Sequence, residues 1–193
     1  MKKRHRQLII LIRLFLGLIF FTAGMAKLYD THQFPGLIGP VWLEERLAEH
    51  GLGIYARFIA WSQVVAGVLL LTQRFATLGA VLTFPIILNI FVVTVSLQWQ
   101  GTPYINFFLL LLNVWLLAYD YHKFKFILSD RTERLIGLNI VRKSKIADVI
   151  WGVATVGILL SIPLSYFNLT AAWVLCAVMM VVIVWNQWRV RAK

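Results

Sequence analysis

Residues 8–27 read LIILIRLFLGLIFFTAGMAK, twenty positions with one arginine inside the run and one lysine at its far end. A bilayer core of about 30 Å is crossed by roughly 20 apolar residues in helical conformation. The stretch therefore predicts a transmembrane helix, and the cluster Lys2, Lys3, Arg4 and Arg6 ahead of it acts as a topology signal. The same basic region, apolar run and Gly24-Met25-Ala26 also imitate a cleavable signal peptide. Arg13 stands where such a peptide is uncharged, so the reading favours a retained span.

Outward from this helix the pattern repeats. Apolar runs at 54–72, 75–97, 103–120, 146–164 and 169–188 predict five further spans. The expected fold is an all-α polytopic transmembrane bundle of about six helices. It comprises a four-helix unit over 1–128, a basic cytoplasmic linker over 129–145 and a two-helix extension over 146–193. Composition points the same way. The chain is 60% hydrophobic with a mean hydropathy of +0.78. Only 14% of its residues are charged, against about 25% in soluble domains. A water-soluble globule of this size has no room to hide that much apolar surface.

The net charge of +11 is distributed as topology signals are. With the N-terminus inside, fifteen Lys and Arg residues fall in cytoplasmic segments and three, Lys27, Arg46 and Arg57, fall outside. By the positive-inside rule both termini are expected in the cytoplasm. The basic residues are not interleaved with aromatics on a polar segment, which argues against a nucleic-acid partner. The single cysteine, Cys176, lies in an apolar run, so neither a disulfide framework nor a thiolate metal site is expected. His5, His32, His50 and His122 show no metal-ligand spacing either. No residue is assigned to catalysis, and no metal is expected.

Two connecting segments carry structure of their own. Gly39-Pro40 is expected to start an outer amphipathic helix over 40–50, ended by Gly51. Val41, Leu43, Leu47 and Ala48 form its apolar side and Glu44, Glu45 and Glu49 its polar side, so it reads as a cap on the bundle, or as a lid over an outward-facing site. In the linker, the N-cap and N3 spacing of Asp130 and Glu133 predicts a short helix near 130–138.

Polar groups at membrane depth mark the candidate site. Arg13, Gly17, Phe20, Gly24 and Lys27 recur at steps of three or four, forming one helical stripe whose glycines admit a close neighbour. Asn106, Asn113 and Asp120 are spaced by seven on the fourth span, and Gln63 and Asn89 add amides near the middle of the second and third. Depth alone pairs Arg13 with Asp120 at the cytoplasmic side and brings Lys27 towards Asn106 outside. Together, Arg13, Lys27, Gln63, Asn89, Asn106, Asn113 and Asp120 are expected to line an internal polar site or path, because charges at depth mark sites by default. The opposing expectation is interhelical hydrogen-bond glue, worth about 0.6 to 2 kcal/mol per amide.

The spacing Arg13-x3-Gly17-x2-Phe20-x3-Gly24-x2-Lys27, then Gln63-x3-Gly67-x-Leu69-Leu70 with Arg74, then the apolar fourth span ending at Asp120 before Lys123 and Phe124, resembles the DoxX-like membrane proteins over residues 8–128. The resemblance implies a four-helix transmembrane bundle. The family name comes from a subunit of a thiosulfate:quinone oxidoreductase, and related members accompany redox enzymes in bacterial membranes. Where many relatives carry an acidic residue this chain has Gln63, which removes a proton-accepting group. By resemblance the chain is expected in the bacterial cytoplasmic (inner) membrane as a redox-enzyme subunit. It would hold a non-covalent quinone, or a small anion, near Arg13, Gln63, Asn89 and Asn113. A non-catalytic assembly protein and a small-molecule transporter are the alternatives. The lipid bilayer, a redox-enzyme subunit and further copies of the chain are the expected partners.

Overall fold

In lipid, every backbone N–H and C=O must find its partner inside its own segment, so long apolar runs become helices. The computed structural model describes residues 2–39, 41–128 and 145–192. It contains α1 (Lys2–Leu28), a 3-10 turn (Asp30–His32), α2 (Leu43–Ala48), α3 (Gly53–Leu71), α4 (Ala76–Ser96), α5 (Thr102–Leu128), α6 (Lys145–Ser165) and α7 (Leu169–Ala192). Six of these are long and apolar enough to cross a membrane. Large apolar side chains such as Ile54, Phe58, Val92, Leu111 and Val181 point away from the bundle. Lipid is the solvent they fit, and the chain is a polytopic helical membrane protein.

Helix ends depart from the hydropathy limits where nothing in the sequence breaks a helix. α1 begins at Lys2, before the apolar run, and α5 continues past Asp120 to Leu128. Neither added stretch contains Gly or Pro. The short helix expected at 130–138 lies outside the described residues, as does Pro40. The outer helix is shorter than the expected 40–50. Only Leu43–Ala48 is helical, because Leu43 and Leu47, one turn apart, are the residues that bury against Ala56 and Ile59 of α3. Gly51, at φ 74°, ends the segment, with the Leu52 amide donating back to the Leu47 carbonyl at 2.8 Å. α2 is thus a cap seated on α3.

α1, α3, α4 and α5 form a ring in which α1 contacts α3 and α5, and α4 contacts α3 and α5. The α1–α3 contact depends on glycine. A Cβ on Gly67 would lie 2.5 Å from the Phe21 backbone nitrogen, and one on Gly24 would lie 2.7 Å from the Ala60 carbonyl oxygen. α6 and α7 pair with each other and share a core with the ring, Ala154, Ile158 and Ile183 packing in one cluster with Phe21, Met25, Val64 and Val68. Polar ties hold this hairpin at both ends. At one, the Tyr29 hydroxyl donates to Ser161 Oγ at 2.8 Å and the Tyr166 hydroxyl to the Leu28 carbonyl at 3.2 Å. At the other, Arg74 Nε donates to Asp148 Oδ1 at 2.6 Å, and the Gln187 amide donates to the Thr72 carbonyl.

The bundle has two chemically different ends. The basic end, where α1 starts and α5 and α7 finish, carries Arg4, Arg6, Arg74, Lys123, Lys145 and Arg189. The loop end carries the 29–52 connection, α2 and the turns that join α4 to α5 and α6 to α7.

Candidate functional site

At the basic end one carboxylate gathers three donors. Asp120, on α5, is fully buried. Its Oδ2 accepts from an Arg13 guanidinium N–H and from the Thr77 hydroxyl at 2.9 Å, and its Oδ1 accepts from Lys123 Nζ at 2.6 Å. Arg13 comes from α1, Thr77 from the first turn of α4 and Lys123 from the next turn of α5, so three helices converge on one group. The pairing of Arg13 with Asp120 that depth suggests is present.

At the loop end the polar side chains meet around a small internal cavity. Lys27, Gln63 and Asn106 are each more than nine-tenths buried and line it together, from α1, α3 and α5. Ile38, Gly39 and Leu43 also line it, from the connection and α2. Gly39 needs its freedom here, since its φ is 105° and a Cβ would lie 3.7 Å from Lys27 Nζ. Lys27 Nζ donates to the Ala23 carbonyl one turn back at 2.8 Å. Among the described residues, Gln63 Oε1 and Asn106 Nδ2 have no partner. These are one acceptor and one donor in a cavity of about 40 Å³, room for a water molecule or two, which would complete both.

The two remaining residues of the expected site lie elsewhere. Asn113, fully buried between the two ends, donates to the Ala80 carbonyl on α4 at 3.1 Å. Asn89 is exposed on the bundle surface and accepts from the Tyr55 hydroxyl at 3.0 Å. The structure therefore brings together Lys27, Gln63 and Asn106 at one end and Arg13 and Asp120 at the other. Between them pack apolar residues of α1, α3, α4 and α5, among them Leu16, Leu70, Ile87, Leu109 and Leu116.

A larger feature arises from residues that carry no local signal. Between α3 and α6, at the loop end, a groove of about 520 Å³ is lined by Trp61, Leu159, Leu160, Pro163, Tyr166 and Phe167. Lys27 lines it too, so this one side chain borders both the groove and the internal cavity. Glu44 and Arg57, an ion pair at 2.6 Å, form part of its wall. Hydropathy alone marks 146–164 as a span; only the docking of α6 against the ring makes one wall of this groove.

Six membrane-spanning helices with ion-paired and amide-lined interiors define a small polytopic helical membrane protein without an exposed soluble domain among the described residues. The chain belongs to the DoxX family: the DoxX family model matches residues 8–96. It is 35% identical over 123 residues to the uncharacterized protein YwoB of Bacillus subtilis (strain 168), which covers 58% of this chain and 76% of that protein. No solved structure matches.

Proposed function

We propose that this DoxX-family protein is a quinone-associated membrane subunit of a redox assembly. In this reading the quinone lies in the groove between α3 and α6. The observation that carries the reading is that groove. Its volume of about 520 Å³ falls within the roughly 300–1,000 Å³ of small-molecule sites. The Trp61, Tyr166 and Phe167 rings offer faces on which a quinone ring stacks, and Lys27 supplies N–H donors to a carbonyl oxygen. Leu159, Leu160 and Pro163 suit an isoprenoid tail. The 40 Å³ cavity behind Lys27 is too small for the ring and suits water. The concentration of Lys and Arg at the basic end supports a cytoplasmic side for that end in a bacterial membrane, and in this reading the groove opens at the outer side.

The test is to purify the protein in mild detergent, extract it with organic solvent and identify bound lipophiles by mass spectrometry. Wild-type protein should yield a quinone, and Trp61→Ala should retain about tenfold less, from lost stacking and lost apolar contact. A quinone-free extract from folded wild type that also fails to bind an added short-chain quinone sinks the reading.

A second reading, a non-catalytic assembly protein, is favoured by the amides that only join helices. Asn113 bonds the Ala80 carbonyl, and Asn186 bonds the Ala147 carbonyl at 2.9 Å. An empty extract together with a stoichiometric co-purifying protein would select it.

A further inference from the structure

At the basic end a third pocket, of about 320 Å³, is lined by Arg13, Arg74 and Lys123 together with Phe75, Thr77 and Leu78. We infer that it binds a phosphate-type oxyanion, either the headgroup phosphate of an anionic phospholipid or free phosphate. It shares no residue with the groove at the loop end, so the two readings stand or fall separately.

The charges around the pocket do not cancel. Three cations line it, and two carboxylates pair with them, Asp120 with Arg13 and Lys123, and Asp148 with Arg74. Among the described residues three positive charges face two negative ones, so one positive charge is left over at the mouth. Uncommitted donors accompany it. Lys123 gives one N–H to Asp120 and one to Thr77 at 3.2 Å, and its side chain is 43% exposed. An ammonium has three donors, so among the described residues one remains. Arg13 Nε is buried without a partner among the described residues. α4 also opens here at Ala76, so its first amides lie outside the helical ladder and its dipole adds positive potential. Fixed guanidinium charge with ammonium and amide donors is the chemistry that holds phosphate oxygens.

The setting favours a lipid as the source of that phosphate. Lys123 stands just past the apolar run 103–120 of α5, where basic residues mark the membrane surface, which sets the pocket at headgroup level. Phe75 and Leu78 at its flank are exposed, and Val81 and Leu82 continue the exposed apolar surface along α4. An acyl chain leaving the pocket has that surface to lie on. Basic pockets between helices at this depth bind anionic headgroups.

The experiment is native mass spectrometry of the full chain in detergent, with phosphatidylglycerol or phosphatidylcholine added and inorganic phosphate as competitor. Phosphatidylglycerol should be retained in preference to phosphatidylcholine. Lys123→Gln should weaken that retention about fivefold, while Arg189→Gln, an exposed cation at the same end, should leave it unchanged. Leu78→Glu supplies an independent variant. A carboxylate suits the first turn of a helix and leaves every ion pair intact, yet it repels an anion in the pocket, so retention should again fall. Displacement by inorganic phosphate would identify a site that also takes the free anion, and no displacement a site that needs the lipid; both support the proposal. Equal retention of the two lipids, or equal loss in Lys123→Gln and Arg189→Gln, overturns it.

Discussion

Asp120 shows how one residue can tie a membrane bundle together. It is fully buried, and its donors come from α1, α4 and α5. Removing one partner of such a pair strands the other charge in a low-dielectric interior, which costs about 3–5 kcal/mol. Asp120→Leu and Arg13→Leu should each destabilise the protein by about that much. The double variant should cost clearly less than the sum, because the second substitution removes the charge that the first one stranded. Reversible unfolding in mixed micelles measures the cycle. Additivity to within about 0.5 kcal/mol, as independent sites show, would mean that the two side chains do not act as a pair. Lys27 differs in kind: its ammonium is bonded to a carbonyl of its own helix, and it borders both the groove and the internal cavity.

At the scale of the helix the decisive feature is the α1–α3 seam. Gly67 faces the backbone of Phe21, and backbone atoms do not swing aside as a long side chain does. Gly67→Ala should therefore cost about 1–3 kcal/mol through overpacking, although alanine is the better helix former by about 1 kcal/mol. Gly152→Ala in α6, where a Cβ meets nothing within 4 Å, should be neutral or stabilising by up to about 1 kcal/mol. Paired thermal melts would show it, and equal effects at the two positions would contradict the seam. This seam is legible in the sequence, because Gly17 and Gly24 recur on the face of Arg13 and Lys27, and Gly67 shares the face of Gln63. The six spans are legible for a simpler reason: lipid leaves a long apolar run no alternative to a helix. The candidate site is legible only in part. Arg13 and Asp120 reveal each other through charge and depth. Asn89 looks no different from Asn113 in sequence, yet one faces outward and the other inward, because the facing direction depends on which helices pack alongside. The groove between α3 and α6 needs Trp61 and Tyr166 to be brought together across most of the chain, and no local pattern encodes that.

For the molecule as a whole, Tyr29 is the joint between the ring and the C-terminal hairpin. Burial pushes its hydroxyl up to about 12, from about 10 in an unfolded chain. A raised acid favours the folded state while it stays protonated. Its contribution is therefore complete below pH 10 and is lost as pH rises through about 12. The melting temperature of wild type should fall across that window, and Tyr29→Phe, which cannot ionise, should fall less steeply; parallel curves would mean that ionisation of Tyr29 does not set stability in that range. The ring has a different vulnerability, set by the order of synthesis. Arg13 and Asp120 are 107 residues apart in the chain. At about 5–20 residues per second, α1 waits in the bilayer for roughly 5 to 20 s before its carboxylate emerges. During that interval the guanidinium can turn to the headgroups, since its place about two turns inside the apolar run lets the side chain reach them. The depth of Arg13 thus serves two stages in the life of the protein, a temporary berth at the lipid surface during insertion and a permanent one against Asp120 afterwards.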